Sequence, residues 1–299
     1  MHKLFLAIIA IVLSSCQGSL FKAIYNLGMQ KTPPPIEKKI EVALVLGGGG
    51  ARAIAHLGVI EVLQENNIPI DLIVGTSAGS IIGAIYADNP NILEVKTIGL
   101  NFKRDNVIKL SLRAAIEGTT SLRGGFDGIK GEKFINQTLK AKDFKELKIP
   151  FIAVATDVIS GTTVGLRSGK IAPAIRASCA IPGLFSPVEM YGMILVDGGV
   201  TAPLAVDIAK EYHPKLIIAV DVSLPIRKER VKNMFELVHR SAHLTYNALN
   251  ELDGKKADIL IKPRIDDIRI FDDHKNEEIF NVGKAAALEM LHDIQEKLK

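Results

Sequence analysis

The pattern Gly-x-Ser-x-Gly at residues 75–79 is the feature that most constrains how this chain can fold. It lies between an apolar run at residues 71–74 and a run of small and apolar residues at 80–87. This order predicts a strand, a sharp turn and a helix, in which Ser77 takes a strained backbone conformation while Gly75 and Gly79 let strand and helix approach closely. A serine at a helix N-terminus lies where unpaired N–H groups favour developing negative charge. Ser77 is therefore a candidate nucleophile.

Two glycine-marked loops also follow short apolar runs. Residues 47–50 are all glycine and come after the run at 42–46, and an Asp-Gly-Gly sequence comes after the run at 193–196. The residues of interest in these loops are Gly48, Gly49, Gly50, Asp197, Gly198 and Gly199. In parallel α/β sheets the ligand site lies beyond the carboxyl ends of the strands, so both loops are expected near Ser77. Asp197 would then take the proton of Ser77, and the amides of the first loop would bind the oxyanion.

The rest of the chain continues the alternation of strands and helices. Further strands are predicted at residues 151–157, 216–221 and 259–261, and helices at 51–63, 172–180, about 231–251 and about 277–297. Residues 162–169 suggest a small hairpin, and residues 100–149 a helical excursion near the mouth of the site. This order predicts an α/β fold with three layers, α/β/α, around a mostly parallel central sheet.

The N-terminus has the features of an export signal. Residues 1–15 combine Lys3 with an apolar run too short to span a bilayer, and the sequence ending at Cys16 resembles the bacterial lipobox. By that resemblance Cys16 is lipid-modified and anchors the chain in the cell envelope, and Gln17 favours the outer membrane of a Gram-negative cell. The alternative is an ordinary secretory signal cleaved near Ser15. Residues 16–40 would form a tether and residues 41–299 one folded domain.

The net charge and the cysteine content limit the kinds of partner and of covalent or metal site that the chain is expected to have. The formal net charge of +4 suits contact with an anionic membrane surface but is too small and dispersed to indicate nucleic-acid binding. Cys179 is the only cysteine besides Cys16, so the sequence predicts neither a disulfide framework nor a zinc site, and Cys179 is interpreted as a small core residue. No cofactor is expected, and the oligomeric state stays open.

These motifs, in this order, resemble the patatin-like phospholipase family. The resemblance covers roughly residues 42–222. It rests on the glycine loop with Ala51 and Arg52, on residues 56–59, on the serine turn, on residues 155–157 and 180–183, and on Asp197 with its two glycines. The resemblance implies a patatin-like fold and a Ser-Asp dyad, Ser77 with Asp197, that releases fatty acid from membrane phospholipid or lysophospholipid through an acyl-serine, without a metal.

One position departs from the family pattern. The family's glycine loop follows Gly-x-Gly-x-x-Gly, and Ala53 stands at its last glycine. Alanine is harmless there if the position is the first turn of a helix, and strained if it needs a positive φ. The first of these is expected. Arg52 supports the loop, meets a phosphate, or lies solvated at the edge of the site; the sequence leaves these three alternatives open.

Other site assignments compete with this one. The glycine loop also fits a dinucleotide-binding turn, but the second strand ends in the serine turn and lacks the acidic residue of that fold. Five histidines follow Asp197 in triad order, without a distinguishing motif, and His56 is expected to be structural. Asp157 and Asp221 also end strands and are expected to brace loops. The functional alternatives to a hydrolase are an acyltransferase using the same acyl-enzyme and a catalytically silent lipid- or partner-binding lipoprotein.

Overall fold

A computed structural model describes residues 36, 38–107, 124–226, 230–265 and 274–299 of the chain. The described residues form one mixed sheet of eight strands with helices on both faces, as the sequence predicts. The strands are β1 (Val42–Leu46), β2 (Leu72–Thr76), β3 (Phe151–Asp157), β4 (Thr162–Leu166), β5 (Val188–Met190), β6 (Met193–Asp197), β7 (Leu216–Val220) and β8 (Ile259–Ile261).

Eight α-helices are described. They are α1 (Ala55–Glu65), α2 (Ala78–Asp88), α3 (Ile92–Leu100), α4 (Ile129–Thr138), α5 (Ile171–Ser178), α6 (Val206–Lys210), α7 (Met234–Gly254) and α8 (Asn276–Leu298). A 3₁₀ turn, Gly50–Ile54, precedes α1, so the helix predicted from residue 51 begins as a tighter coil. Within the described ranges, no helix is both long and apolar enough to cross a bilayer.

The buried strands separate two apolar cores. Along β1 the side chains alternate, with Leu44 and Leu46 in the larger core and Ala43 and Val45 in the smaller one. Residues of α1, α2, α5 and α8 pack into the larger core, while α6 and the segment before it close the smaller one. Both faces are therefore covered, which explains why the parallel strands are continuously apolar rather than alternating.

The sheet is parallel in its centre and antiparallel at one side. Strands β3, β2, β1, β7 and β8 pair in parallel, in that spatial order. Strand β4 returns antiparallel along β3, so the hairpin partner of residues 162–166 is β3 and not a local turn at residues 168–169. The short elements β5 and α6 have no sequence prediction, because three- and five-residue segments carry too little periodicity.

Strand β6 meets β2 end to end. Residues Ala153–Asp157 of β3 pair with β4 along one edge, so β6, which pairs with Ala155–Asp157, must lie on the other edge, the edge that β2 uses. Strand β2 ends at Thr76 opposite Val154, and β6 arrives from the opposite direction and ends at Asp197 opposite Ala155. The two strand ends therefore face each other, and Ser77 follows one while Asp197 closes the other.

Candidate active site

Ser77 lies in the strained turn that the sequence predicts. Its backbone has φ 53° and ψ −127°, and it stands immediately before α2. A Cβ on Gly79 would lie 2.3 Å from the carbonyl oxygen of Leu46, and one on Gly75 would lie 2.6 Å from the Cα of Ser80. Both glycines of the motif are thus required by close backbone contacts, and the strain at Ser77 is held by packed surroundings.

Ser77 and Asp197 are in direct contact. The Ser77 hydroxyl donates to Oδ2 of Asp197 at 2.6 Å, although the two residues are 120 positions apart. The other carboxylate oxygen, Oδ1, accepts from the amide of Gly199 at 2.7 Å. Each carboxylate oxygen therefore has one donor, which fixes the rotamer of Asp197 and leaves Oδ2 facing the serine.

Burial raises the pKa of Asp197 to about 6, although the hydrogen bonds from Ser77 and Gly199 oppose the rise. The residue is only 5% exposed, and a carboxylate in such surroundings loses most of its hydration. A carboxylate with this pKa is ionised at neutral pH and is a stronger base than an exposed aspartate.

Ser178 holds the backbone of the turn. Its hydroxyl accepts from the amide of Ser77 at 3.0 Å and donates to the carbonyl of Val154 at 2.6 Å. Ser178 is fully buried at the end of α5. The serine side chain thus ties the strained residue to β3, and a buried N–H that would otherwise lack a partner is satisfied.

The glycine loop lies next to Ser77, since a Cβ on Gly48 would lie 3.2 Å from the Ser77 Cβ. The amide of Gly48 donates to the carbonyl of Pro203 at 3.1 Å, so this predicted oxyanion donor is already engaged. The amides of Gly49 and Gly50 donate to no residue in the described part of the chain. Of the three predicted oxyanion donors, the amides of Gly49 and Gly50 are therefore the two without an acceptor among the described residues.

Three side chains support this loop through hydrogen bonds to backbone carbonyls in and next to it. The Tyr246 hydroxyl donates to the carbonyl of Gly48 at 2.6 Å, and Arg52 Nε donates to the carbonyl of Val222 at 2.9 Å. His56 Nε2 lies 2.9 Å from the carbonyl of Gly47; because a carbonyl only accepts, Nε2 carries the proton. Burial lowers the pKa of His56 to about 4, so the ring is neutral. Arg52 and His56 are thus part of the loop's framework.

Ala53 occupies the 3₁₀ turn Gly50–Ile54 and has no positive φ. The alanine is therefore accommodated without backbone strain, as expected for a position in a first helical turn. The one left-handed residue of the loop is Gly50, with φ 60°.

An apolar cavity of about 140 Å³ opens beside Ser77. Its wall includes Ile81, Ile85, Ile98, Phe102, Ile135 and Phe185. Cys179 also lines it, half-buried, with Sγ 3.9 Å from the Ser80 hydroxyl, so this cysteine belongs to the cavity wall and not to the core interior. Burial raises the pKa of the Cys179 thiol, which keeps it protonated at neutral pH.

The remaining candidates lie elsewhere. Asp157 accepts from Ser160 in the β3–β4 turn, and Asp221 accepts from Ser223 and Asn250, so both brace loops as expected. No histidine of the described residues donates to Ser77 or Asp197. The structure thus brings together Ser77, Asp197 and the glycine loop, without a histidine.

Ser178 and Tyr246 were not predicted from the sequence. Ser178 stands in an ordinary helix end, and Tyr246 lies 198 positions from the carbonyl that it contacts. For Ser178 the available signal was its place at the end of α5, beside residues 180–183, which carry the family resemblance.

The fold and this site define an α/β protein whose strand–turn–helix serine motif is of the kind that serine hydrolases carry. The family model described as patatin-like phospholipase matches residues 44–210, over half of the chain. The chain therefore belongs to the patatin-like phospholipase family, which confirms the predicted resemblance. Membership in this family supports the prediction that the chain is an enzyme of the phospholipase or esterase type.

Similar proteins include Lysophospholipase NTE1 of Debaryomyces hansenii, 31% identical, and patatin-like phospholipase domain-containing protein 6 of Mus musculus, 28% identical. The alignments cover 84% and 81% of this chain but 18% and 20% of those proteins, so the chain spans about a fifth of the length of the curated relatives it matches. The crystal structure of VipD from Legionella pneumophila is 14% identical with a TM-score of 0.48, covering 85% of this chain and 67% of that one.

Proposed function

We propose that the chain is a serine lipid acyl hydrolase of the phospholipase A or lysophospholipase type, with Ser77 as nucleophile and Asp197 as general base. The observation that carries the proposal is the 2.6 Å contact between the Ser77 hydroxyl and a buried carboxylate, beside an apolar cavity. Nucleophile and base must be within hydrogen-bond reach, and this pair is.

In the first half of the reaction, Ser77 Oγ bonds to the carbonyl carbon of the ester while its proton passes to Asp197 Oδ2. The carbonyl oxygen becomes negatively charged and is stabilised by the amides of Gly49 and Gly50 and by the N-terminus of α2. The intermediate collapses, the alcohol leaves with the proton from Asp197, and the acyl group remains on Ser77.

In the second half, water takes the place of the alcohol. Water gives a proton to Asp197 as its oxygen bonds to the acyl carbon, and the proton returns to Ser77 Oγ when the fatty acid leaves. The raised pKa of Asp197 suits both directions of transfer, because a base whose pKa lies near the working pH accepts and releases a proton readily.

The substrate class is inferred from the cavity and from the relatives. Most side chains of the wall beside Ser77 are aliphatic or aromatic, with Glu132, Arg176, Ser186 and Asn276 among the remainder, and such a wall suits a fatty-acyl chain better than a polar acyl group. The names of two similar proteins, a lysophospholipase and a patatin-like phospholipase domain-containing protein, support lipid esters as the substrates of this chain. The proposed partners are therefore membrane phospholipid or lysophospholipid.

The test is fatty-acid release from phospholipid and lysophospholipid vesicles by the full chain. Ser77→Ala and Asp197→Asn should each lower the rate by about 10⁴-fold or more, since the two groups act as one unit. Asp157→Asn is the matched control: it also removes a buried carboxylate at a strand end, but one that braces a turn, and it should keep activity. Equal loss in all three variants, or none in the first two, would contradict the proposal.

We further propose that Cys16 is lipid-modified and anchors the chain in the cell envelope, and that in a Gram-negative cell the anchoring membrane is the outer membrane. Residues 1–15 would be the signal, 16–40 the lipidated tether and 41–299 the hydrolase domain; the lipobox lies outside the described residues. Support comes from the sequence alone. Metabolic labelling with palmitate in a Gram-negative host should mark the wild-type chain and not Cys16→Ser, and fractionation should find it in the outer membrane.

A further inference from the structure

Helix α7 is packed sparsely for its length. It has 21 residues, yet among residues 234–249 whose side chains are described none is buried; the first buried residue is Asn250. Near its N-terminus Met234, Leu237 and Val238 are 72%, 47% and 63% exposed. Their i, i+3, i+4 spacing puts the three on one face of the helix. Apolar side chains grouped in this way at the surface mark a site of interaction.

The helical turns that carry this face lie beyond the carboxyl ends of the strands, the edge of the sheet at which Ser77 also lies. Asn250 donates to Asp221, the residue that follows β7, and the Tyr246 hydroxyl reaches the glycine loop that follows β1. The residues of α7 before Tyr246 therefore extend beyond the carboxyl ends of the strands. Val158 and Ile159, both more than half exposed, follow β3 at this same edge.

The segment that carries this face is basic. Residues 226–240 contain five lysines and arginines against two glutamates. Among the described residues Arg230 and Lys232 are exposed directly before the helix. Apolar side chains interspersed with lysine and arginine are the composition of helices that lie in the interface of an anionic bilayer. A second copy of the chain would instead oppose like charges.

We propose that the first turns of α7, through Met234, Leu237 and Val238, dock on the surface of an anionic lipid bilayer. The inference rests on the proposed function only for the choice of lipid as the occupant. It adds a second membrane contact, separate from the N-terminal anchor, that brings the carboxyl edge of the sheet and Ser77 to the bilayer. The chain then takes its substrate from the surface on which it lies.

The chain contains no tryptophan, so a single introduced tryptophan reports one position. Met234→Trp and Val238→Trp are compared with Leu93→Trp, each in the full chain with Ser77→Ala so that no lipid is hydrolysed. Leu93 is a matched control at 70% exposure. Leu93 lies near the start of α3, close to the end of α2. The carbonyl of Ala87 in α2 accepts from the amides of Lys148 and Ile149, just before β3, so this region lies at the opposite edge of the sheet from Ser77. The same N-terminus tethers all three proteins.

Vesicles of phosphatidylcholine with phosphatidylglycerol are added, with or without brominated phosphatidylcholine as a quencher. The Met234→Trp and Val238→Trp emission should shift to shorter wavelength and be quenched, with a smaller response when phosphatidylglycerol is left out, while Leu93→Trp stays unchanged. Equal responses at all three positions, or none at the first two, would overturn the proposal. So would a shift that follows protein concentration without vesicles, which would point to a second copy. Because no turnover is measured, the result is independent of whether the proposed hydrolase activity is correct.

Discussion

Asp197 lies opposite Ala155 across an antiparallel pair of strands, one residue further along β3 than Val154, the partner of Thr76. This register puts the last residue of β6 directly beyond the last residue of β2. The carboxylate thus reaches Ser77 because two strands meet head to head on one edge of β3, and not because both residues end parallel strands. The meeting of the loops was predicted correctly, but the geometric reason for the place of Asp197 was different.

The rate should depend on the ionisation of Asp197. Its pKa is raised to about 6 by burial, and a general base works only when it is deprotonated. We expect kcat/KM for a soluble acyl ester to rise with pH through about 6 and to level off above it. A pH–rate profile on the full chain measures this, and a rate that is flat or falls across that range would contradict the role of Asp197.

The same shift affects stability, with the opposite sign to that of an ion-paired aspartate. The pKa of Asp197 is higher in the folded chain than its ordinary value of 3.8, so the folded state holds the proton more tightly. This contribution to the free energy of unfolding is present at low pH, is lost as pH rises through about 6, and stays lost above it. The full span is about 3 kcal/mol, from roughly 1.4 kcal/mol per pKa unit.

Asp197→Asn removes this titration. The difference in free energy of unfolding between the variant and the wild type should therefore move in favour of the variant as pH rises from about 4 to about 7. Urea unfolding of both proteins at several pH values measures the difference, in which the other titrating groups cancel. A pH-independent difference would mean that the pKa of Asp197 is not raised in the folded chain.

Ser178→Ala should slow the reaction without weakening substrate binding. The change leaves the buried amide of Ser77 without its acceptor, which costs roughly 1–3 kcal/mol, so we expect kcat to fall about tenfold or more. KM should change little, because Ser178 is fully buried and positions Ser77 from behind. Steady-state kinetics separate the two constants. Ser223→Ala is the control: its buried hydroxyl has no partner among the described residues, and its loss should leave kcat unchanged.

Gly79→Ala should destabilise the fold. The new Cβ would lie 2.3 Å from the carbonyl oxygen of Leu46 and 2.6 Å from that of Gly47, and backbone atoms cannot move aside cheaply. We expect the free energy of unfolding to fall by about 3 kcal/mol or more, measured by urea unfolding. Gly125→Ala, whose nearest neighbour would be 3.8 Å away, should be close to neutral. If the two variants were equally stable, the close approach of strand and helix at the serine turn would be wrong.

Local patterns in the sequence were sufficient to predict several elements of this protein. Short continuous apolar runs predicted β1 and β3 with their observed residues, because a strand buried on both faces must be apolar throughout. The motif around Ser77 predicted a strained turn, which the structure shows as a φ of 53°, and glycine neighbours that let strand and helix approach closely. The order of the glycine loop, the serine turn and Asp197 was enough to indicate the family.

The groups that surround Ser77 could not be predicted in this way, because they come from segments that are distant in the sequence and are brought together by packing. The amide of Gly48 is taken by Pro203, the Ser77 amide by Ser178, and the glycine-loop carbonyl by Tyr246. Ser77 and Ser178 are 101 positions apart, and Gly48 and Tyr246 are 198 positions apart, so no local periodicity relates the members of either pair. Buried backbone groups must find partners, and the partner is whichever chain segment the packing brings within about 3 Å. The head-to-head arrangement of β2 and β6 and the position of the long helix α7 determine these partners, and the sequence motifs predict neither.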